Sequence, residues 1–285
     1  MRIPPPAAPL ACSVRGCRQR LPCAWTAPGP APRATASTWP GRATSTCCSP
    51  QDRRAAAPGD STAAVAARAR LDAAGIGQPL IDDLRATVRA LALPDAPVIV
   101  DLGSGTGAAL AALVETCGGI GVGIDVSAAA ALHAARRHAD LTWVVANADR
   151  RLPLLDGSVD LVVSLHARRN PTECARVLTR HGRLILALPA ADDLGALRAQ
   201  VLGADSGRDR TEAAIAAHAP WFTLAARHRV QDTRRLSRDE AVAMVEATYR
   251  GGRASRLASI DALVDMEVTL ASDVLVLTPG ADAPA

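Results

Sequence analysis

Two apolar segments, each followed by a small polar cluster, constrain the fold of this chain more than any other feature. Residues 98–107 read VIVDLGSGTG, and residues 121–127 read GVGIDVS. The first segment predicts a buried strand that enters a glycine-rich turn, and the second predicts another strand ending at Asp125, 20 positions after Gly105. A turn without Cβ atoms lets a ligand approach the backbone, and an acid at the tip of the next strand can bind ribose hydroxyls. The pair therefore indicates a βαβ unit that binds a nucleoside cofactor.

The turn is compatible with more than one cofactor. Gly103, Gly105 and Ala108 fit the loose fingerprint of dinucleotide-binding folds. Asp101 argues against a dinucleotide, because its charge would face the pyrophosphate, whereas it suits a cationic amino-acid ligand. The sequence GSGTG resembles the first motif of the class I S-adenosylmethionine (SAM) methyltransferases. In that family the residue that matches Asp125 binds the ribose, and the strand that follows supplies an adenine contact.

Apolar strand patterns and helical patterns alternate along most of the chain. The predicted strands are 98–102, 121–126, 141–146, 159–165 and 183–188, with a last strand at 274–277 and 266–270 nearby. The predicted helices are 62–74, 78–91, 108–117, 128–138, 171–178, 194–201 and 241–249, and a polar loop is expected after 201. Alternation of this kind builds a parallel sheet covered by helices. We therefore predict an α/β, Rossmann-like class I methyltransferase fold, with a mostly parallel sheet, helices on both faces and an irregular N-terminal segment.

The N-terminal segment differs from the remainder in composition. Its first 50 residues hold half of the 20 prolines and no acid, and no helical or strand period is sustained there, so we expect it to be disordered. We predict three parts: an irregular segment over 1–50, a helical adaptor over 51–93 and a methyltransferase domain over 94–280.

The net charge of +4 comes from the N-terminal segment. Residues 1–54 hold eight arginines and one acid, so residues 55–285 keep 24 arginines against 27 acids, a balance of −3. The overall charge gives no support for nucleic-acid binding. Seven cysteines without an export signal predict reduced thiols and a cytoplasmic protein, and no apolar run is long enough to indicate a membrane partner.

Segments outside the glycine-rich turn resemble the 23S rRNA guanine-N1 methyltransferases. They read RLDAAGIGQPL at 70–80, RLP at 151–153 and NPTECARVL at 170–178. The resemblance runs from residue 51 to residue 278. It implies SAM as cofactor, 23S rRNA as partner and methyl transfer to N1 of a guanine.

The resemblance also implies zinc, because that family carries an N-terminal zinc module with a Cys pair and a later Cys-x3-His. Cys12 and Cys17 could form the first pair, but no histidine precedes His133, so the zinc site is incomplete in this chain and we assign no metal ligands. We interpret 1–50 as the remnant of that module. If the codons for Pro30 to Ser49 are read one base out of register, they can encode a segment very close to the family's second ligand pair. This match suggests that residues 18–50 are translated in a shifted reading frame.

The resemblance places Asp193 where the family has a cofactor-contacting histidine. Together with the turn, this gives one set of expected cofactor contacts: Asp101, Gly103, Ser104, Gly105, Thr106, Gly107, Asp125, Val126, Ala148, Asp149 and Asp193.

The proposed reaction also requires that the guanine lose its N1 proton. His166, at the carboxyl end of the fourth predicted strand, is the candidate catalytic residue, and an exposed loop histidine is the alternative. Arg168 and Arg169 could contact phosphates or a target base, or form a solvated pair. A dense basic run from Arg227 to Arg238 is a candidate RNA-facing strip.

Two other functions remain open from the sequence. One is a small-molecule SAM methyltransferase, which the acidic body favours, and the other is a non-catalytic SAM-binding protein with a disrupted target-recognition module. The sequence does not indicate an oligomeric state.

Overall fold

The computed structural model describes residues 8–11, 37–38, 44–46, 59–203, 207–248 and 260–281. Their strands are β1 (Ser37–Thr38), β2 (Thr44–Thr46), β3 (Val98–Leu102), β4 (Ile120–Asp125), β5 (Thr142–Val145), β6 (Val159–Leu165), β7 (Leu178–Pro189), β8 (Phe222–Leu236) and β9 (Met266–Pro279). Their helices are α1 (Thr62–Ala73), α2 (Gln78–Ala90), α3 (Ala108–Cys117), α4 (Ala128–Arg137), α5 (Pro171–Val177), α6 (Gly195–Leu202), α7 (Thr211–His218) and α8 (Arg238–Thr248).

The strands form one sheet in the order β1-β2-β5-β4-β3-β6-β7-β9-β8. Neighbours from β2 to β7 are parallel, whereas β1, β9 and β8 pair antiparallel with their neighbours. The predicted α/β fold with a mostly parallel sheet is confirmed. Because the central strands are parallel, the turns after β3, β4, β5 and β6 all lie at one edge, where ligands bind in such sheets.

Helices cover both faces of the sheet, as the alternation predicts. Val100 and Leu102 of β3 pack in one buried cluster with α5, and Ile99 packs in the opposite cluster with α2 and α3. Neighbouring residues of β3 therefore face opposite sides, as the period of two requires. Trp143 is fully buried in the second cluster, and its indole N–H donates to the carbonyl of His138 at 3.0 Å.

A third cluster joins α1, α6, α8 and β9 beside the sheet. Ser61 caps α1 by accepting a hydrogen bond from the backbone N–H of Ala64 at 3.2 Å. Before α8, Ser237 and Glu240 form a reciprocal capping box, in which each accepts from the backbone N–H of the other. These capping hydrogen bonds fix the amino-terminal ends of α1 and α8, which pack directly against each other.

The expectation of disorder over 1–50 is wrong for the described part of that segment. There, β1 pairs with β2, and β2 extends the sheet beside β5. Leu10 is buried and forms a bridge to Leu154, and the backbone N–H of Ala11 donates to the carbonyl of Pro153 at 3.0 Å. An open sheet edge presents unpaired backbone groups to any extended chain, so this pairing needs no strand pattern in the side chains.

The expectation of a polar loop after residue 201 is also wrong in part, because α7 and β8 lie in this region. Only the two end residues of β8, Phe222 and Leu236, are buried, so this edge strand lacks the apolar alternation that would have predicted it. The two separate strands expected at 266–270 and 274–277 are one continuous strand, β9.

Cys174 is buried and Cys117 half-buried, and both are free thiols. Across the described ranges, no helix combines the length and the apolar character of a membrane span.

Candidate functional site

The glycine-rich turn after β3 and the acid at the end of β4 are brought together by parallel pairing. The backbone N–H of Gly103 donates to the carbonyl of Ile124 at 2.7 Å. The carboxylate of Asp125 accepts from the backbone N–H groups of Gly105 and Ser127, at 2.9 and 2.8 Å. Asp125 is therefore held against the turn, in the position that the 20-residue spacing predicts. We call residues 101–107 the cofactor turn.

The three glycines of the cofactor turn have different structural roles. All have positive φ angles. A Cβ on Gly103 would lie 2.3 Å from Cβ of Ala167, and one on Gly107 would lie 2.4 Å from the ring of Trp143. Around Gly105, by contrast, no atom lies within 4 Å of such a Cβ. Gly103 and Gly107 are thus required by packing, and Gly105 leaves open space in which a ligand can approach the backbone.

Asp101 is buried at the start of the cofactor turn, with 1% of its surface exposed. Among the described residues, its Oδ1 and the hydroxyl of Ser104 have no hydrogen-bond partner. Burial, and next the charge of Asp125, raise the pKa of Asp101 to about 7. An acceptor that is buried without a donor is destabilising, and a ligand ammonium group would supply the missing donor. The turn therefore fits the amino-acid portion of SAM.

Thr106 is directed toward α1. Its hydroxyl donates to the carboxylate of Asp72 at 2.6 Å, and burial raises the pKa of Asp72. The side chain of Thr106 therefore ties α1 to the cofactor turn.

The segment before α1 covers the tip of β4. The hydroxyl of Ser127 donates to the carbonyl of Asp60 at 2.7 Å, and a Cβ on Gly59 would lie 2.9 Å from Cγ1 of Val126. Val126 is consequently packed beneath this segment, next to Asp125.

Arg68 of α1 is a residue that the sequence analysis missed. Its positive charge adds to the desolvation that lowers the pKa of His166, and it opposes the desolvation that raises the pKa values of Asp72 and Asp193. Its guanidinium also donates to the carbonyl of Ala247 at 3.4 Å. The four-residue spacing of Arg68 and Asp72 on a predicted helix was the signal that could have found it, because such residues share a face.

Ala148 and Asp149 lie in the turn after β5. Ala148 is half-buried against the core, and the backbone N–H of Asp149 donates to the side chain of Asn147 at 2.9 Å. Arg168, after β6, forms an ion pair with Asp149 at 3.3 Å. This contact joins the turns after β5 and β6.

Asp193 follows β7 and is anchored to β9. Its carboxylate accepts from the backbone N–H of Ala271 at 2.9 Å, and burial raises its pKa. The residue therefore has a structural partner, and its carboxylate lies within the electrostatic reach of Arg68.

His166 lies at the end of β6 in a left-handed backbone conformation, with φ 52°. Such a conformation is strained in a residue other than glycine, and strain of this kind is common at functional sites. Its Nε2 lies 2.8 Å from the hydroxyl of Ser272 on β9. The residue is partly exposed at the rim of the fold, and desolvation by the neighbouring protein atoms, followed by the charge of Arg68, lowers its pKa to about 4. The imidazole is neutral at pH 7.

A cleft of about 460 Å³ opens beside His166 at the ends of β6 and β7. We call it the His166 cleft; it is lined by His166, Ala167, Arg169, Leu188, Pro189, Arg208, Asp209, Arg210, Ala213 and Ala214. Arg169 donates to the carbonyl of Ala167 at 3.1 Å, while its buried Nε has no partner within the described ranges. Because Ala167 also contacts Gly103, the cleft adjoins the cofactor turn directly.

Zinc does not fit the residues that the structure describes. Those ranges contain no group of three His, Cys, Asp or Glu side chains placed to bind a metal ion. Cys12 and Cys17 lie outside them. We derive no step through zinc.

The turn, the acid at the tip of the second parallel strand and the sheet define a class I SAM-dependent methyltransferase. A family model described as "Methyltransferase domain" matches residues 99–185. In fold, the chain is similar to a chain from the complex of the Haloferax volcanii Trm112 methyltransferase activator with a candidate methyltransferase, at a TM-score of 0.52, 22% identity and coverage of 80% of this chain and 99% of that one. It is also similar to a candidate methyltransferase of Bacillus halodurans, at a TM-score of 0.50, 13% identity and coverage of 68% and 97%.

Two curated relatives identify the family. The 23S rRNA (guanine(748)-N(1))-methyltransferase of Streptomyces fradiae is 37% identical over 183 residues, which are 63% of this chain and 65% of the relative. A candidate 23S rRNA (guanine-N(1)-)-methyltransferase of Micromonospora griseorubida is 35% identical over 201 residues, 64% of this chain and 68% of the relative. The chain belongs to the 23S rRNA guanine-N1 methyltransferase family. The matches span about two thirds of each relative's length.

Proposed function

We propose that this protein transfers a methyl group from SAM to N1 of a guanine in 23S rRNA. The observation that carries the proposal is the shared wall between the cofactor turn and the His166 cleft. Gly103 packs against Ala167, so a cofactor on the turn and a base in the cleft would meet across this contact. Alignment of the two reactants is the main contribution that a protein can make to such a displacement.

The cofactor turn would hold SAM through groups whose hydrogen-bonding capacity suits it. Asp101 would bind the ammonium group, Asp125 the ribose hydroxyls, and Arg68 the carboxylate. The cofactor would lie against the backbone of Gly103, Ser104, Gly105, Thr106 and Gly107. Val126, Ala148 and Asp149 would lie near its adenosine, and Asp193 would lie on the opposite side of the cofactor. When bound, SAM supplies an activated methyl group, which the N1 lone pair attacks in line while the C–S bond electrons leave with sulfur.

His166 would accept the N1 proton. We assign the neutral tautomer in which Nε2–H donates to the hydroxyl of Ser272, because this leaves Nδ1 unprotonated at pH 7 and able to accept the N1 proton. Arg169 would lie beside the guanine O6, where a cation stabilises the negative charge that develops as N1 loses its proton. Ser272 would act as a positioning residue.

The proposal is tested with the full chain, methyl-labelled SAM and 23S rRNA transcribed in vitro. We expect label in the rRNA and N1-methylguanine in its nuclease digest, and much less of both with the Asp125→Ala variant at a SAM concentration near the wild-type Kd. Label in small molecules of a cell extract but not in rRNA would support a small-molecule methyltransferase instead. SAM binding by calorimetry with no methylated product in either assay would support a non-catalytic SAM-binding protein.

A further inference from the structure

Among the residues that the structure describes, two groups of arginines differ in their partners. Those of the basic run on β8 and at the start of α8 each lie within 4 Å of a carboxylate; the pairs are Arg227–Glu212, Arg229–Asp192, Arg234–Asp232, Arg235–Asp265 and Arg238–Asp239. Each of these arginines of the candidate RNA-facing strip therefore has a carboxylate of the protein itself beside it.

Arg208 and Arg210 at the rim of the His166 cleft belong to the other group. Both side chains line the cleft and both residues are exposed. Within the part of the chain that the structure describes, neither forms an ion pair or a side-chain hydrogen bond. The acid between them, Asp209, is engaged locally, because its carboxylate accepts from the backbone N–H of Thr211, the first residue of α7, at 2.8 Å.

The cleft interior adds a third cation without an acidic partner. Arg169 contacts only the carbonyl of Ala167 in the described ranges, and its surroundings desolvate it. The cleft thus combines three arginines with one carboxylate, and that carboxylate is engaged at the helix end. In a body with more acids than bases, this local excess of positive charge points to an anionic ligand.

We propose that Arg208 and Arg210 bind backbone phosphates of the RNA strand whose base enters the His166 cleft. This inference rests on the proposed function, which it deepens by naming the residues that hold the acceptor. Phosphate contacts of this kind position a nucleotide without reading its sequence. A consequence is that guanine or guanosine, which have no phosphate, would be poor acceptors compared with an RNA loop.

The test compares two double variants of the full chain. Arg208→Ala/Arg210→Ala removes the unpaired rim arginines, and Arg227→Ala/Arg235→Ala is the matched control, which removes two paired arginines from β8. Affinity for a fluorescent 23S rRNA fragment is measured by anisotropy over a range of salt concentrations, in the presence of S-adenosylhomocysteine. Affinity for SAM and the melting temperature are measured in parallel.

We expect the rim variant to bind RNA about tenfold more weakly and to lose roughly 1–2 from the slope of log affinity against log salt. SAM affinity and melting temperature should stay at the wild-type values, and the control should change RNA affinity less than twofold. Equal RNA affinity and salt slope in the rim variant and wild type would overturn the inference. If the rim variant loses binding while wild-type protein transfers no methyl group to RNA, the phosphate site stands and the proposed function fails.

Discussion

The cofactor turn and the His166 cleft adjoin in space but are assembled in opposite ways. The turn and Asp125 come from one βαβ unit of fewer than 30 consecutive residues, and their contacts follow from the pairing of β3 with β4. The cleft combines the ends of β6 and β7 with the loop before α7, and Ser272, 106 residues from His166, orients the imidazole.

This difference has a functional meaning. The turn has unmet hydrogen-bonding capacity, at Asp101 and Ser104, that a small charged ligand would satisfy. The cleft is open and lined by cations, as suits a large anionic partner. Variants of the cleft should therefore change methyl transfer, and variants of the turn should change cofactor binding.

The largest expected effect comes from His166→Gln, which alters the cleft and leaves the turn intact. Loss of a general base should lower kcat about 10²–10⁴-fold, with SAM affinity unchanged. His181→Gln, which changes an exposed histidine near the start of β7 and away from the cleft, is the matched control and should retain full activity. Single-turnover methylation and calorimetry measure the two quantities. Wild-type kcat in His166→Gln would remove the catalytic assignment.

The pH profile of wild-type protein sharpens the same assignment. Because desolvation lowers the pKa of His166 to about 4, the base stays unprotonated at pH 6–7. Protonation of His166 should therefore reduce kcat/KM only below about pH 5, instead of near the ordinary value of about 6.5. An acid limb near pH 6.5 that disappears in His166→Gln would contradict the desolvated environment.

Asp125→Ala makes the converse change. It removes the proposed ribose ligand and the acceptor for two backbone N–H groups. Charge-assisted hydrogen bonds contribute about 1.5–3 kcal/mol each, so SAM should bind about a hundredfold more weakly. Asp140→Ala, at an exposed site after α4, serves as the control. Unchanged SAM affinity, measured by calorimetry, would break the proposed link between the turn and the cofactor.

Asp101 should give a smaller effect that depends on pH. The cationic ligand requires the ionised carboxylate, whereas the pKa of about 7 leaves the ligand-free protein increasingly protonated below pH 7. SAM affinity should thus fall by about tenfold per pH unit below 7 and be level above it. Asp101→Asn should bind weakly at every pH and, because it removes a buried charge, raise the melting temperature of the ligand-free protein. A level wild-type profile between pH 5.5 and 8 would contradict this prediction.

The smallest effect concerns the connection between α1 and the turn. Thr106→Val leaves the buried carboxylate of Asp72 without its hydroxyl donor, which should cost about 1–3 kcal/mol in the free energy of unfolding. Thr116→Val, on the helix α3 that follows the turn, is the control, because that hydroxyl bonds only to the carbonyl of Ala112 in its own helix. Chemical denaturation measures both. Equal stabilities would mean that the contact contributes little to the docking of α1.

The sequence predicted elements whose signals are local. The ends of α1, α2, α3 and α4 were predicted to within about one residue, because caps, glycines and apolar periods mark them. The meeting of the cofactor turn and Asp125 was predicted for the same reason.

Long-range features escaped prediction. The partner of His166, the rim arginines and the role of Arg68 depend on strands and helices that meet only in the folded chain. β8 was missed because an exposed edge strand carries little apolar pattern, and β2 because main-chain pairing at an open edge leaves no trace in the side chains.

The attachment of β2 beside β5 sets a length scale for substrate recognition. Three strand-to-strand steps separate β2 from β3 and four separate it from β6, so at about 4.8 Å per step the distance across the sheet is about 14–19 Å. An acceptor that touched the N-terminal flank while presenting a base between Gly103 and His166 would have to bridge that gap. A folded hairpin spans such a distance as a rigid body.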